Sequence, residues 1–350
     1  MAAEFGTRRV AGTALALATT GAALTALGPG ALLVACGQFL VGAGTAGAIV
    51  PVQNLPIAWF PRRSRGFASG LPSAGVGIGL VVVGVGFPAL LPVELLGLSG
   101  WRLAWATIGG VLLCASAFCF WLLRESPEAA RETGSIRDAF RVRRIWRLCV
   151  VYFFFGFSYL SYVAFFGATL AGQRHWEPAA VGRAWATAGM LSIASGLCWG
   201  ALSDRTGRRL SISLAFGVHA LAYLSMALVP WDGAVYVSVV LWGFSAWAIP
   251  SLAAAVATDY VGVRLVHPAM ALVNLVGAAG QMSGPVLTGL VVDLTGSFVP
   301  GLALAATVAL VGGAAALTLS EGQRPVDFGR EPRIALSRSE GADQRKEDRP

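Results

Sequence analysis

Charged positions along this chain are few and clustered, and the stretches between them carry the first message. Nine stretches hold no Asp, Glu, Lys or Arg: 10–61, 66–93, 103–123, 148–173, 184–203, 210–231, 233–258, 265–292 and 294–320. Each has at least 20 residues, and a helix needs about 20 to cross a hydrocarbon core of about 30 Å. The first is long enough for two crossings and is interrupted by Gly28-Pro29-Gly30, a strong turn signal. The pattern therefore predicts ten transmembrane helices. Inside lipid the backbone must satisfy its own hydrogen bonds, which only helices and closed barrels achieve. Barrel strands alternate over about ten residues, whereas these runs are longer and do not alternate. The expected fold class is an all-α membrane protein.

Composition agrees and excludes other classes. Of 350 residues, 56% are hydrophobic and 13% charged, against roughly 45–50% and about 25% in soluble domains. Disorder is ruled out and a soluble enzyme is disfavoured. Of the 44 charged residues 14 fall in 321–350, seven of each sign, which marks a disordered, net-neutral tail. Ten crossings put both ends of the chain on one side. The loops on that side hold 16 arginines: Arg8 and Arg9; Arg62, Arg63 and Arg65; Arg124, Arg131, Arg137, Arg141, Arg143, Arg144 and Arg147; Arg205, Arg208 and Arg209; and Arg264. The other side has only Arg102, Arg174 and Arg183. The positive-inside rule makes the arginine-rich side cytoplasmic. The net charge of +8 is thus topology, with the lipid bilayer as partner and no nucleic acid. Cys36, Cys114, Cys119, Cys149 and Cys198 lie in or beside apolar runs without metal or disulfide spacing, and read as buried and inert. Arg8-Arg9 followed by an apolar stretch and Leu33-Val34-Ala35-Cys36 imitates a lipoprotein signal. A signal core is usually 7–15 residues, and this one would span the Gly-Pro-Gly break.

The longest polar interior segment, 124–147, divides the helices four to six. The organisation expected is a four-helix bundle over 1–123, a cytoplasmic loop over 124–147, a six-helix bundle over 148–320 and the tail over 321–350. The two parts look related at an offset of about 200 residues. Phe5-Gly6-Thr7-Arg8-Arg9-Val10 parallels Arg205-Thr206-Gly207-Arg208-Arg209-Leu210, and Leu40-Val41-Gly42 before Pro51 parallels Leu241-Trp242-Gly243 before Pro250. Internal repeats are common in secondary transporters.

These residues carry a resemblance. Gly200-Ala201-Leu202-Ser203-Asp204-Arg205-Thr206-Gly207-Arg208-Arg209 resembles the signature loop of the major facilitator superfamily. Trp59-Phe60-Pro61-Arg62-Arg63-Ser64-Arg65-Gly66 is similar to the loop after that family's fourth helix. Gly284-Pro285 with Gly289, Asp293, Thr295, Gly296, Ser297 and Phe298 is similar to the end of its eleventh. Gly156-Phe157-Ser158-Tyr159, Ala246-Trp247-Ala248-Ile249-Pro250 and Asp259-Tyr260-Val261-Gly262 resemble a poorly characterised bacterial subfamily. The resemblance implies a two-bundle fold whose spans correspond to helices three to twelve, in the plasma (inner) membrane. Two earlier helices expected of the family do not precede residue 5, and Glu4 stands near the acidic position of the first signature loop.

The same resemblance marks the signature loop as a latch between halves, carried by Gly200, Asp204, Arg205, Gly207, Arg208 and Arg209. Physically, Gly207 supplies the unusual dihedrals of a tight turn, and Gly200 lets helix backbones approach. Asp204 accepts from nearby arginines or helix amides. Plain positive-inside retention is the competing reading. The family places its cavity on helices one, four, seven and ten. The seventh-helix equivalent carries Tyr152, Phe155, Tyr159, Tyr162 and Phe166 three to four apart on one face, with Ser158 and Ser161 beside them. Tyrosine hydroxyls deep in a membrane need partners, which favours a cavity, although a packing stripe has the same spacing. Trp242, Ser245 and Trp247, with Pro250 to kink the span, belong to the tenth. Gln38, Gln53 and Asn54 on the fourth and Asn274 and Gln281 on the eleventh are substrate ligands or interhelical glue. Gly75, Gly77, Gly79, Gly84 and Gly86 read as a close-packing face.

No charged residue lies in the middle of any span, where proton relays or charged-substrate sites are usually marked. A proton carrier would then sit in the two earlier helices that the family pattern expects or at the rim, where Glu94, Glu177, Asp232 and Asp293 lie. His219 lies in a span the family places peripherally and reads as packed. No phosphate-binding loop, zinc spacing or nucleophile triad appears, so no cofactor, metal or catalytic residue is expected. Two readings stand. One is a secondary transporter of small, neutral or weakly polar organic solutes by alternating access, with a coupling proton or other ion. The other is a truncated, non-transporting membrane protein or a subunit needing a partner.

Overall fold

The computed structural model describes residues 6–59, 65–95, 97–123 and 136–320, and the side chains among them except at 7, 50–73, 136, 263 and 264. Eleven helices follow one another: α1 Thr7–Leu27, α2 Ala31–Trp59, α3 Arg65–Leu90, α4 Gly100–Leu122, α5 Ile136–Arg141, α6 Arg143–Gly172, α7 Pro178–Thr206, α8 Arg208–Leu228, α9 Asp232–Ser245, α10 Ala248–Thr295 and α11 Phe298–Ala316. Among the described residues nine helical spans are long and apolar enough to cross a membrane, and Ala74–Leu90 of α3 is a shorter apolar helix in the place of the remaining run. Gly28, Pro29 and Gly30 separate α1 from α2, where the turn was expected. The helix after the polar segment starts at Arg143, five residues ahead of the apolar run, so Arg143, Arg144 and Arg147 ride on its first turns.

Glycines with positive φ stand at four helix boundaries, Gly6, Gly207, Gly262 and Gly296. Gly207 ends α7 and starts α8 at φ 88°, ψ 155°, a backbone shape that side chains resist. Gly262, at φ 70° and ψ 173°, divides α10 into the end of one span, Asp232–Gly262, and the start of another, Leu265–Thr295. The first of these spans has a second irregularity at Ala246 and Trp247, between α9 and α10.

Small residues set the close approaches. α1 packs on α2 and α4, and α3 packs on α7. α6 packs on the second part of α10 and on α11, α8 on α9 and α11, and α9 on α7. Along the antiparallel α3–α7 contact, Gly77 meets Gly189 and Gly84 meets Gly182. A methyl group on Gly77 would lie 2.8 Å from the Gly189 carbonyl oxygen, and one on Gly84 2.6 Å from that of Gly182. The expected five-glycine face reduces to these two residues. Gly75, Gly79 and Gly86 have nothing within 4 Å of where a methyl would stand, because they lie on other sides of the helix. Of the cysteines, Cys119 and Cys149 are buried; Cys36, Cys114 and Cys198 are exposed, correcting the expectation that all five are interior. All five are free thiols.

Candidate functional site

Six rings from three helices close a circuit at mid-span of the second half. Phe155 on α6 lies 5.2 Å from Tyr159, and Tyr159 stacks on Trp242 of α9 at 5.5 Å. Trp242 is 5.7 Å from Tyr162, which stacks on Tyr223 of α8 at 4.8 Å. Tyr223 is 5.9 Å from His219, and His219 stacks on Phe155 at 6.2 Å. Helical spacing explains the membership. Phe155, Tyr159 and Tyr162 recur three or four apart on α6, and His219 and Tyr223 are four apart on α8. Ser158 and Ser245 are fully buried among these helices. Their hydroxyls donate to carbonyls of their own helices, Ser158 to Phe154 at 2.9 Å and Ser245 to Leu241 at 2.7 Å.

The polar atoms here are unevenly satisfied. The Tyr162 hydroxyl meets Ser238 Oγ at 2.7 Å, and Ser238 Oγ donates to the Ala222 carbonyl at 2.6 Å. By contrast, both ring nitrogens of His219, the Tyr223 hydroxyl and the indole N–H groups of Trp242 and Trp247 are buried without a partner at hydrogen-bond geometry. The Ser245 backbone lies at the margin of reach of His219, and the Ser158 side chain at that of Tyr223. Each such atom costs about 1–3 kcal/mol, so a cluster of them marks a place built for something other than packing.

Local helix chemistry explains the break beside them. Pro250 has no N–H to give the Ala246 carbonyl. The Trp247 N–H leaves the helix to donate to Ser195 Oγ of α7 at 3.2 Å, and the Phe244 carbonyl accepts the Trp199 indole at 3.0 Å. Trp247 then lies 6.4 Å from Tyr159.

The expected cavity residues divide. Tyr159, Tyr162, Trp242 and Trp247 meet around the break, with Ser158 and Ser245 beside them. Tyr152 is buried and touches Phe155 at 5.3 Å, one turn away. Gln38 is exposed and donates to Thr25 Oγ1 of α1 at 3.2 Å, the glue role. Asn274 is exposed on α10, and half-buried Gln281 lies against Gly156. Gln53 and Asn54 lie outside the residues whose side chains are described. His219, Tyr223, Ser238 and Trp185, whose ring lies 5.3 Å from that of Trp242, were not in the sequence-based set. The spacing of His219 and Tyr223 was the available signal.

At the arginine-rich end, Arg208 is the hub. It pairs with Asp204 at 3.0 Å and with Asp259 of α10 at 3.6 Å, and it donates to Ser203 Oγ. Asp204 and Arg205 are exposed. Arg209 is exposed too, with a partner of its own. The Arg208 contacts stay within α7, α8 and α10. Gly200 does not mediate a backbone approach as expected: nothing lies within 4 Å of a methyl placed there. Next to the hub, the Tyr260 hydroxyl donates to the Ser320 carbonyl at 3.1 Å and accepts from its N–H at 2.9 Å. At the opposite end Arg174 pairs with Asp232 at 3.7 Å and donates to the Met226 and Val229 carbonyls, which close α8. No group of three or more His, Cys, Asp or Glu suited to a metal occurs among the described residues.

Known proteins fit this arrangement. The inner membrane transport protein RhmT of Escherichia coli is 27% identical over 318 residues, covering 80% of this chain and 71% of that one. A putative tartrate transporter of Agrobacterium vitis is 24% identical, covering 81% and 68%; a probable sulfoacetate transporter of Cupriavidus necator is 24% identical, covering 85% and 75%. Among solved structures, a bacterial homologue of the human lysosomal transporter Spinster, inward-facing, superposes with TM-score 0.68 at 17% identity over 91% of this chain and 83% of that one. The fucose:proton symporter of Escherichia coli superposes with TM-score 0.64 at 13% identity, covering 92% and 86%. The sequence profile of the Major Facilitator Superfamily matches residues 1–285. With its apolar helices, its transporter relatives and this fold, the chain is a multi-pass membrane protein belonging to the Major Facilitator Superfamily of transporters.

Proposed function

We propose that this protein is a secondary active transporter that carries small, oxygen-bearing but largely uncharged organic solutes by alternating access. It sits in the plasma (inner) membrane with its arginine-rich end in the cytoplasm. The moving bodies are α1–α4 and α6–α11, and they roll on the glycine contact between α3 and α7. The observation that carries the substrate class is the pair of unpaired indole N–H groups, Trp242 and Trp247, beside the Tyr159 ring. Two obligate donors ask for acceptor oxygens, and the rings offer a flat apolar platform for a carbon skeleton. No fixed charge stands in mid-span to favour an ion. The relatives named for tartrate and sulfoacetate, and the structural neighbour named for fucose, support small oxygen-rich cargo.

At the cytoplasmic end, Arg208 with Asp204 and Asp259 ties α7, α8 and α10 into one body for that motion. The test is solute counterflow into proteoliposomes holding the purified full chain, with labelled hexoses, polyols, tartrate and sulfoacetate as probes. A neutral polyhydroxylated probe should accumulate, and Trp242→Phe should weaken its accumulation at low probe concentration about tenfold. Accumulation of the acids alone, or of no probe by folded protein, overturns the reading.

A further inference from the structure

Every span lacks a charged residue at its centre, yet one titratable group able to gain a charge near neutral pH is buried there. His219 is the twelfth residue of the 21-residue α8 and is 0% exposed, and neither ring nitrogen has a hydrogen-bond partner. Beside it, at the same depth, α9 ends at Ser245 halfway along the span Asp232–Gly262. The Ser245 backbone faces the imidazole. A helix C-terminus carries about half a negative charge on carbonyls that lack intrahelical partners. Here that end is deepened, because Pro250 leaves the Ala246 carbonyl without its donor and the Trp247 N–H has gone to Ser195. Carbonyl-lined ends of broken spans are suited to holding cations, and an intramembrane histidine is a functional site by default.

We propose that His219 and the carbonyl end of α9 form the proton site of the second half, the place where the transport cycle takes up its coupling ion. One proton passes from the aqueous phase to the free ring nitrogen of His219. The neutral imidazole becomes imidazolium, no other bond breaks, and the same proton leaves when the opposite side opens. The Ser245 and Ala246 carbonyls then accept from the charged ring. Few other groups compete for this proton. The titratable residues on the helices packed around His219 are Tyr152, Tyr159, Tyr162 and Cys149 of α6, Cys198 of α7, Tyr223 of α8, Tyr236 of α9, and Tyr260 and His267 of α10. α11 brings none. The charged residues of these helices, including Arg208, Arg209, Asp232 and Asp259, stand toward the ends of the membrane spans. The coupling role rests on the transporter reading above; the proton site itself does not.

The test is a pH titration of the full chain in lipid nanodiscs, with 15N-labelled histidine, from pH 4 to 9. The chain has three histidines, so His175→Asn and His267→Asn assign the His219 signal even if His219→Gln fails to fold. The expected result is a His219 imidazole that takes up one proton within that pH range. Its midpoint should fall by about half a pH unit in Pro250→Ala, which offers the Ala246 carbonyl a donor again. Exchanging K⁺ for Na⁺ should leave the titration unchanged. A His219 ring fixed in one protonation state across the range overturns the proposal. So does a midpoint indifferent to Pro250→Ala, or displacement of the proton by Na⁺. Failed counterflow with this titration intact refutes the transporter reading alone.

Discussion

The helices α1, α2 and α4 meet through alanine and glycine, whereas α6, α8 and α9 meet through rings. Among the described side chains of the first group, the buried ones are Ala11, Ala18, Ala22, Ala26, Ala48, Ala104 and Cys119, with Thr25 and Ser116 as polar members. Both polar ones are satisfied, Thr25 by the Gly21 carbonyl at 2.9 Å and Ser116 by the Gly12 carbonyl at 2.9 Å. In the second group Trp242, Tyr162 and Tyr223 are among the largest fully buried side chains, and unpaired polar atoms come with them. Small residues bring backbones together and leave neither volume nor chemistry between them. Rings hold helices apart and carry polar edges inward, at a cost in satisfaction. The first group is built for cohesion, and the second is the one that the proposed function assigns to a solute.

The largest effect that would break this contrast is steric. A methyl on Gly21 would stand 2.5 Å from the Gly37 carbonyl oxygen. Gly21→Leu is therefore expected to destabilise the chain by roughly 3 kcal/mol, read as a fall in thermal unfolding temperature in detergent. Gly42→Leu, on the same pair of helices but with nothing within 4 Å, should stay within about 0.5 kcal/mol. Equal effects at the two positions would show that α1 and α2 are not in backbone contact.

Next comes Ser238→Ala. It strips the Tyr162 hydroxyl of its partner at 2.7 Å and should cost about 1–3 kcal/mol in the same melt. A neutral result would mean the tyrosine finds another partner and the ring circuit is looser than described.

Trp242→Phe should separate stability from binding. The lost N–H has no partner in the protein, so the melt should fall only by the packing lost with the smaller ring, about 1 kcal/mol, while solute affinity falls about tenfold, near 1.4 kcal/mol. A drop in melting temperature with affinity intact would return Trp242 to the packing role.

Asp259→Asn is the smallest, because the Arg208 pair is exposed on the carboxylate side, at 58%. It should cost about 0.2–1 kcal/mol and lose most of that in high salt. A larger, salt-insensitive effect would place the pair in the moving parts instead.

Much of the architecture was legible from charge spacing alone, since a span announces itself by what it lacks. The Gly28-Pro29-Gly30 turn and the stripe from Tyr152 to Phe166 were legible for the same local reasons. What periodicity cannot say is which neighbour a face will meet. Gly77 and Gly79 look alike in sequence, yet only Gly77 touches α7. Asp204 drew attention through its motif, but the arm to another helix belongs to Arg208 and ends on Asp259. His219 read as packed and is packed. Its meaning lies in Ser245, which is distant in sequence and arrives by folding.

The two glycine contacts between α3 and α7 have a further, mechanical consequence. At these contacts the backbones touch and only a few side chains, among them Leu80, Pro88 and Ile193, reach across, so a small shift of one helix on the other disturbs few rotamers. Under the alternating-access reading proposed above, such a joint resists little, and the speed of opening and closing would be set by what must come apart at the ends of the helices.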